Sequence, residues 1–373
     1  MSEIAMDGKA MLGYGNMRIP MHEDGTIDYE TTFAMVDKYM ASGYSYFDTC
    51  YVYEGSEALL KEALVDRYPR ESFHITTKTS TIICETEEEM KAQFSTSLER
   101  LGVDYVDTYF IHFVTDRVME KIERFHAFDW LRELKAKGLA KTIGFSFHGS
   151  AELLERLLSE EEGIDIVQLQ INYLDWEDKK VQSRRMYEIA RTHNVPIAVM
   201  EPCKGGWIAA EESDAAKVLK EANPDASVAS WAFRFVAGLP GIYVILSGMG
   251  SPEQVEDNLA TLKDFTPLSE EERALTLKVV DMINAIPRVP CTKCKYCTNV
   301  CPKKLNIPKL METYNNLIVF NALESSRYVY DMMIPNPNKR ASACIGCGKC
   351  AEMCPQNIDI PNYLKVLVEK LEN

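Results

Sequence analysis

The chain runs to 373 residues, 46% of them apolar and 26% charged, with a net charge of −15. That length exceeds one average domain, and the acidic surplus argues against nucleic acid as a partner. No apolar run approaches the roughly 18 residues of a membrane-spanning helix. The opening MSEIAMDGKA has neither a basic start nor an apolar stretch, so no signal peptide and a cytoplasmic address are expected.

Short, near-continuous apolar runs alternate with helical patterns over residues 1–285, as buried parallel strands and their crossovers should. The predicted strands are Met11–Tyr14, Tyr44–Phe47, Phe73–Thr77, Val106–Ile111, Lys141–Phe145, Ile166–Gln170, Pro196–Met200 and Ile242–Leu246. Helices are predicted over Glu54–Arg67, Glu87–Leu101, Val118–Lys137, Ala151–Leu158 and Lys180–Thr192, and Gly102, Gly138 and Gly163 suit helix C-termini. Eight such strands with their helices predict a (β/α)8 TIM barrel. A doubly wound open sheet is the alternative, disfavoured because no G-x-G-x-x-G follows the first strand.

In such a barrel the chemistry sits at the C-terminal ends of the strands. There the sequence puts Asp48, Lys78 and His112 after strands two, three and four, with Tyr53 in the loop beyond Asp48. Alone, each has a bland reading: a cap, a core ring or a surface charge. Together they suit carbonyl reduction. A tyrosine can protonate the oxygen as hydride reaches the carbon, but its ordinary pKa near 10 is high. A lysine ammonium beside it favours the phenolate, an aspartate holds the lysine, and a neutral histidine orients the carbonyl.

YFDTCYVYEGSEALLKEAL (46–64), ITTK (75–78) and YVDTYFIHF (105–113) resemble the aldo-keto reductase family. The resemblance covers roughly three quarters of the chain. It implies a catalytic tetrad of Asp48, Tyr53, Lys78 and His112, with Tyr53 as general acid, and a nicotinamide cofactor across the barrel mouth. By the same resemblance Met17, Ser146, Gln168, Met200, Ser247, Gly248, Gln254 and Asn258 are cofactor contacts. Phe147 stands where the family usually has Asn, and Met200 where it stacks an aromatic ring. The segment 246–258 lacks the Lys and Arg of NADPH-preferring members, so NADPH, NADH and a flavin all stay open.

The linker IPRVP (286–290) leads into a second domain, residues 286–373. It holds eight of the eleven cysteines, as Cys291, Cys294, Cys297, Cys301 and Cys344, Cys347, Cys350, Cys354. Each run reads C-x2-C-x2-C-x3-C-P, the spacing that binds 4Fe–4S clusters. Zinc normally takes two well-separated pairs, and a reducing compartment argues against disulfides. Cys50, Cys84 and Cys203 read as small buried hydrophobes. From residue 287 onward 12 basic residues face 7 acidic ones, against 29 and 49 in the rest. Lys293, Lys295, Lys303, Lys304 and Lys349 could offset cluster charge or form a solvated face. Helical patterns cover Ile307–Leu323 and Ile360–Glu372. The tail resembles helical two-cluster ferredoxin domains, in which the fourth cysteine of each run serves the other cluster. That implies Cys291, Cys294, Cys297 and Cys354 for one cluster, and Cys344, Cys347, Cys350 and Cys301 for the other. End to end, the chain resembles the bacterial aldo-keto reductases with such a tail.

The expected function is an oxidoreductase that reduces a small-molecule aldehyde or ketone with NAD(P)H, its two clusters an attached electron relay to a redox protein. Hydride brings two electrons and a cluster accepts one, so a flavin-containing reductase fed through the clusters is the alternative. Purely structural clusters are the bland reading of the cysteines. Oligomeric state has no signature in the sequence.

Overall fold

The computed structural model describes residues 11–22, 24–263 and 265–373. The opening segment read for a leader lies outside the described residues. The described chain groups into two compact units. One runs up to Pro202 and adds Ala232–Ser269; the other combines Cys203–Trp231 with Glu270–Asn373.

The first unit carries a closed barrel of eight parallel strands in chain order, as the alternating pattern predicts. They are β1 (Met11–Gly15), β2 (Tyr46–Asp48), β3 (His74–Thr79), β4 (Val106–Val114), β5 (Ala140–Phe147), β6 (Ile166–Gln170), β7 (Ile197–Met200) and β8 (Ile242–Ser247). Tyr46, Phe110, Ile166, Ala198, Val244 and Leu246 fill the interior. All but Ala198 come from even-numbered strands, the alternate-strand layering that makes a barrel a packed core rather than a pore. Gly144 permits the closest approach in the wall: a Cβ there would stand 1.9 Å from the Ile166 carbonyl oxygen.

The predicted helix Glu87–Leu101 is found with those bounds, its Thr86 hydroxyl accepting Glu89 N–H and Gly102 closing it at φ 68°. The predicted helix Val118–Lys137 is instead two, Met119–Arg124 and Ala127–Ala136. His126 breaks it at φ 48°, and no glycine or proline marks the break. The pattern Glu54–Arg67 begins later, at Ser56, after the left-handed Gly55.

In the second unit, the helix predicted over Ile307–Leu323 ends at Phe320, where Asn321 turns left-handed at φ 47°. A further helix, Leu323–Met333, follows. The core joins Val289, Leu305, Ile307, Leu310, Met311 and Leu317 to Ile358, Ile360, Leu364 and Leu367, with Cys297 and Cys350 inside it. The segment after β7 belongs to the same unit. Trp207 stacks on Phe320 with centroids 5.2 Å apart, and Asn321 Nδ2 donates to the Glu212 carbonyl at 3.3 Å. Lys293 pairs with Glu312 at 3.1 Å, which gives it a carboxylate partner besides any cluster. No described helix is long and apolar enough to cross a membrane.

Candidate functional site

Three adjacent strands bring the predicted tetrad to one rim. β2 pairs with β3 and β3 with β4, so the C-terminal ends carrying Asp48, Lys78 and His112 lie side by side. Lys78, 1% exposed, is held by Asp48 Oδ1 at 2.6 Å and by the Thr49 carbonyl at 2.7 Å. Its Nζ lies 5.6 Å from the centroid of the Tyr53 ring, and that ring meets His112 edge-on at 5.8 Å. Tyr53 is brought back to the rim by a tight turn, its N–H donating to the Cys50 carbonyl at 2.9 Å.

β4 departs from regular pairing where His112 sits. Ile111 pairs with Phe145 but Val114 with Phe147, so His112 and Phe113 occupy the space of one residue. Such a bulge re-aims a side chain at the rim of a barrel. Phe113 takes φ 60°, a left-handed value for a bulky residue, and its N–H donates to Ser146 Oγ at 2.9 Å.

Charge and burial set the protonation states. Burial pushes the Asp48 carboxyl above its usual range, although Lys78 pulls it back. Its Oδ2 is buried and has no hydrogen-bond partner among the described residues. An orphan of this kind calls for a donor from a bound molecule or water. Burial, with the Lys78 cation second and His148 third, lowers His112 to about 3, so at neutral pH the ring is an uncharged imidazole. His74, at the opposite end of the barrel wall, is lowered to about 4, again mainly by burial and against the pull of Asp107.

These two histidines make stability depend on pH. Unfolded, they bind protons near the ordinary histidine value of about 6.5; folded, only near 3 and 4. Between those values the unfolded chain holds more protons, so folding stability falls as pH drops from about 6.5 toward 4. The urea midpoint is expected to decline over that window and to decline less in His112→Gln. An unchanged slope in the variant contradicts the neutral His112.

The predicted cofactor contacts lie along the same mouth. Ser146 and Gln168 are register partners on β5 and β6, both buried. Met200 ends β7, and Met17 follows β1, 38% exposed. Ser247 Oγ accepts from Asn258 Nδ2 at 2.7 Å, and Gln254 Oε1 accepts Gly250 N–H at 2.8 Å. These polar groups, with the orphaned Asp48 oxygen, fit an extended polar cofactor. Sequence reasoning missed Arg18. Its Cδ lies 3.3 Å from where a Cβ on Gly248 would stand, which brings a guanidinium side chain to the segment that lacks its own cation. It also read Cys50 as packing alone, whereas Cys50 Sγ stands 3.4 Å from His112 Nδ1.

The eight tail cysteines line two separate cavities. Cys291, Cys294, Cys297 and Cys354 surround one; Cys301, Cys344, Cys347 and Cys350 surround the other. All eight are free thiols. The backbone of the two runs matches at a spacing of 53 residues: left-handed Lys293, Lys295 and Lys304 correspond to Gly346, Gly348 and Asn357. Positive φ at alternate residues is compatible with a backbone that turns its N–H groups toward an anion such as an iron–sulfur cluster. Gly346 N–H already points at Cys344 Sγ, 3.4 Å away. Four cysteines, the repeated left-handed turns and apolar walls fit a 4Fe–4S cluster in each cavity.

The aldo/keto reductase family profile matches residues 11–280, and a 4Fe–4S dicluster domain profile matches 290–358. The chain belongs to the aldo/keto reductase family. Aldo-keto reductase str7 of Strobilurus tenacellus is 30% identical over 209 residues, 53% of this chain and 59% of that protein. Methylglyoxal reductase DkgA of Yersinia pestis is 26% identical over 278 residues, 72% of this chain and 90% of that protein. A Klebsiella pneumoniae aldo/keto reductase solved with NADP and acetate superimposes with a TM-score of 0.59 at 21% identity, covering 75% of this chain and 96% of that one. As an aldo/keto reductase with a dicluster domain, the protein is an oxidoreductase. The match to str7 spans less than two thirds of that relative's length.

Proposed function

We propose that the barrel reduces an aldehyde or ketone with NAD(P)H through Asp48, Tyr53, Lys78 and His112. One observation carries this reading: Lys78, anchored on Asp48 at 2.6 Å, lies beside the Tyr53 ring, which a neutral His112 faces from its other neighbouring strand. The cofactor supplies hydride. Tyr53 gives its hydroxyl proton to the carbonyl oxygen, Lys78 stabilises the phenolate left behind, and His112 holds that oxygen by a hydrogen bond. The NADP-bound Klebsiella structure and the methylglyoxal reductase relative support a nicotinamide and a small carbonyl substrate. The flavin alternative draws no support from them. The test is NADPH oxidation by methylglyoxal as a probe aldehyde: turnover above the protein-free rate supports the reading, and its absence with a panel of aldehydes overturns it.

Arg18 bears on cofactor choice. A guanidinium binds a phosphate better than any group the 247–258 segment offers. Arg18→Ala is expected to weaken NADPH binding about tenfold and NADH binding much less. Fluorescence titration of both nucleotides checks it.

The eight cysteines are proposed as ligands of two 4Fe–4S clusters in the crossed arrangement, with the reducing cytoplasm as the compartment that suits them. The clusters are proposed as a one-electron relay to a redox protein, a role favoured by the exposure of Cys294 and Cys347. Cys347→Ala is expected to lose one cluster and to change NAD(P)H-driven turnover. Unchanged turnover in that variant contradicts the relay and leaves the clusters a bracing role.

A further inference from the structure

Cys50 follows Asp48 by two residues and is fully buried. Its Sγ lies 3.4 Å from His112 Nδ1 and 3.6 Å from the Lys78 carbonyl oxygen. That carbonyl already accepts Tyr51 N–H at 3.2 Å. The one thiol proton therefore has a nearer acceptor at Nδ1 and a more distant, occupied one at the carbonyl. A neutral imidazole carries one donor and one acceptor nitrogen, and sulfur is itself a weak acceptor. Nδ1 is thus better satisfied by accepting from the thiol than by donating to it. The ring proton then resides on Nε2.

We propose that Cys50 is a positioning residue: its S–H donates to His112 Nδ1 and so fixes the tautomer whose Nε2–H holds the substrate oxygen. The inference rests on the reading of His112 as the group that orients the carbonyl. Burial pushes the thiol up to about 12, so it keeps its proton at neutral pH. In the opposite tautomer Nδ1–H would point at sulfur, and Nε2 would be a bare acceptor. An acceptor cannot hold a carbonyl oxygen.

The test uses the full, cluster-loaded protein with 15N-labelled histidine, the His112 ring signals being assigned with His112→Gln. Wild type and Cys50→Ser, which keeps a donor, are expected to show the proton on Nε2. Cys50→Ala and the near-isosteric Cys50→Val are expected to show a mixture. In the same variants kcat is expected to fall about tenfold for Ala and Val, and to stay within about threefold of wild type for Ser, the scale of a misdirected hydrogen bond at the reacting oxygen. NADPH affinity by fluorescence titration is expected to be unchanged throughout. A proton on Nδ1 in wild type overturns the proposal, and so does wild-type kcat in Cys50→Val. If Cys50→Ala fails to fold, Cys50→Val and the Ser comparison still decide. The ring spectra need no turnover, so they judge the Cys50 bond even if the tetrad reading fails in the Tyr53→Phe assay.

Discussion

Tyr53→Phe is expected to lower kcat/KM for carbonyl reduction by about 10²- to 10⁴-fold, the range of a positioned general acid. The substitution removes one oxygen and keeps the ring that faces His112 at 5.8 Å. Packing should therefore survive. The proton that must reach the carbonyl oxygen would have no donor placed for it, while Asp48 and Lys78 keep their 2.6 Å pair. The visible absorbance of the clusters is expected to be unchanged, because their proposed ligands all lie beyond residue 290. Steady-state kinetics beside a visible spectrum checks both halves. Unchanged turnover contradicts the role of Tyr53, and a bleached spectrum means that the fold was damaged instead.

Cys354→Ala should act on the run to which it does not belong. Cys354 lines the cavity of Cys291, Cys294 and Cys297, while Cys301 lines that of Cys344, Cys347 and Cys350. A 4Fe–4S cluster that loses one of four thiolates is readily lost. Iron per chain is expected to drop from about eight to about four. After anaerobic alkylation, mass spectrometry should find Cys291, Cys294 and Cys297 modified and Cys344, Cys347 and Cys350 protected. The reverse pattern contradicts the crossing. In the crossed arrangement both clusters would close loops between the domain's two ends, so removing all iron with a chelator is expected to unfold the tail. The buried Cys297 and Cys350 would then be left in an apolar core with nothing to ligate.

The barrel was legible because parallel strands buried on both faces read as unbroken apolar runs. The grouping of Asp48, Tyr53, Lys78 and His112 at one rim was legible because three of them stand where those runs stop. What escaped depends on tertiary closure or on local backbone. The bulge at His112 and Phe113 leaves no mark in the sequence, since Phe is a poor residue for φ 60°. The left-handed turns of the second cysteine run are signalled by Gly346 and Gly348. The same turns in the first run fall on Lys293 and Lys295, which give no such sign. Arg18 follows β1 and meets Gly248 after β8 only because those two strands pair to close the barrel. Cys50 is a small buried residue by any sequence rule, and only the distance to His112 separates it from the packing around it.

The most direct test of the barrel chemistry is isotopic. NADPH carrying deuterium at the transferable position is offered with an aldehyde to the anaerobic, cluster-loaded protein, and the alcohol is examined by mass spectrometry and NMR. Direct hydride transfer beside Tyr53 predicts deuterium on the former carbonyl carbon, and solvent hydrogen only on oxygen. A product whose carbon carries solvent hydrogen means that this hydrogen did not pass directly from NADPH, which contradicts direct hydride transfer.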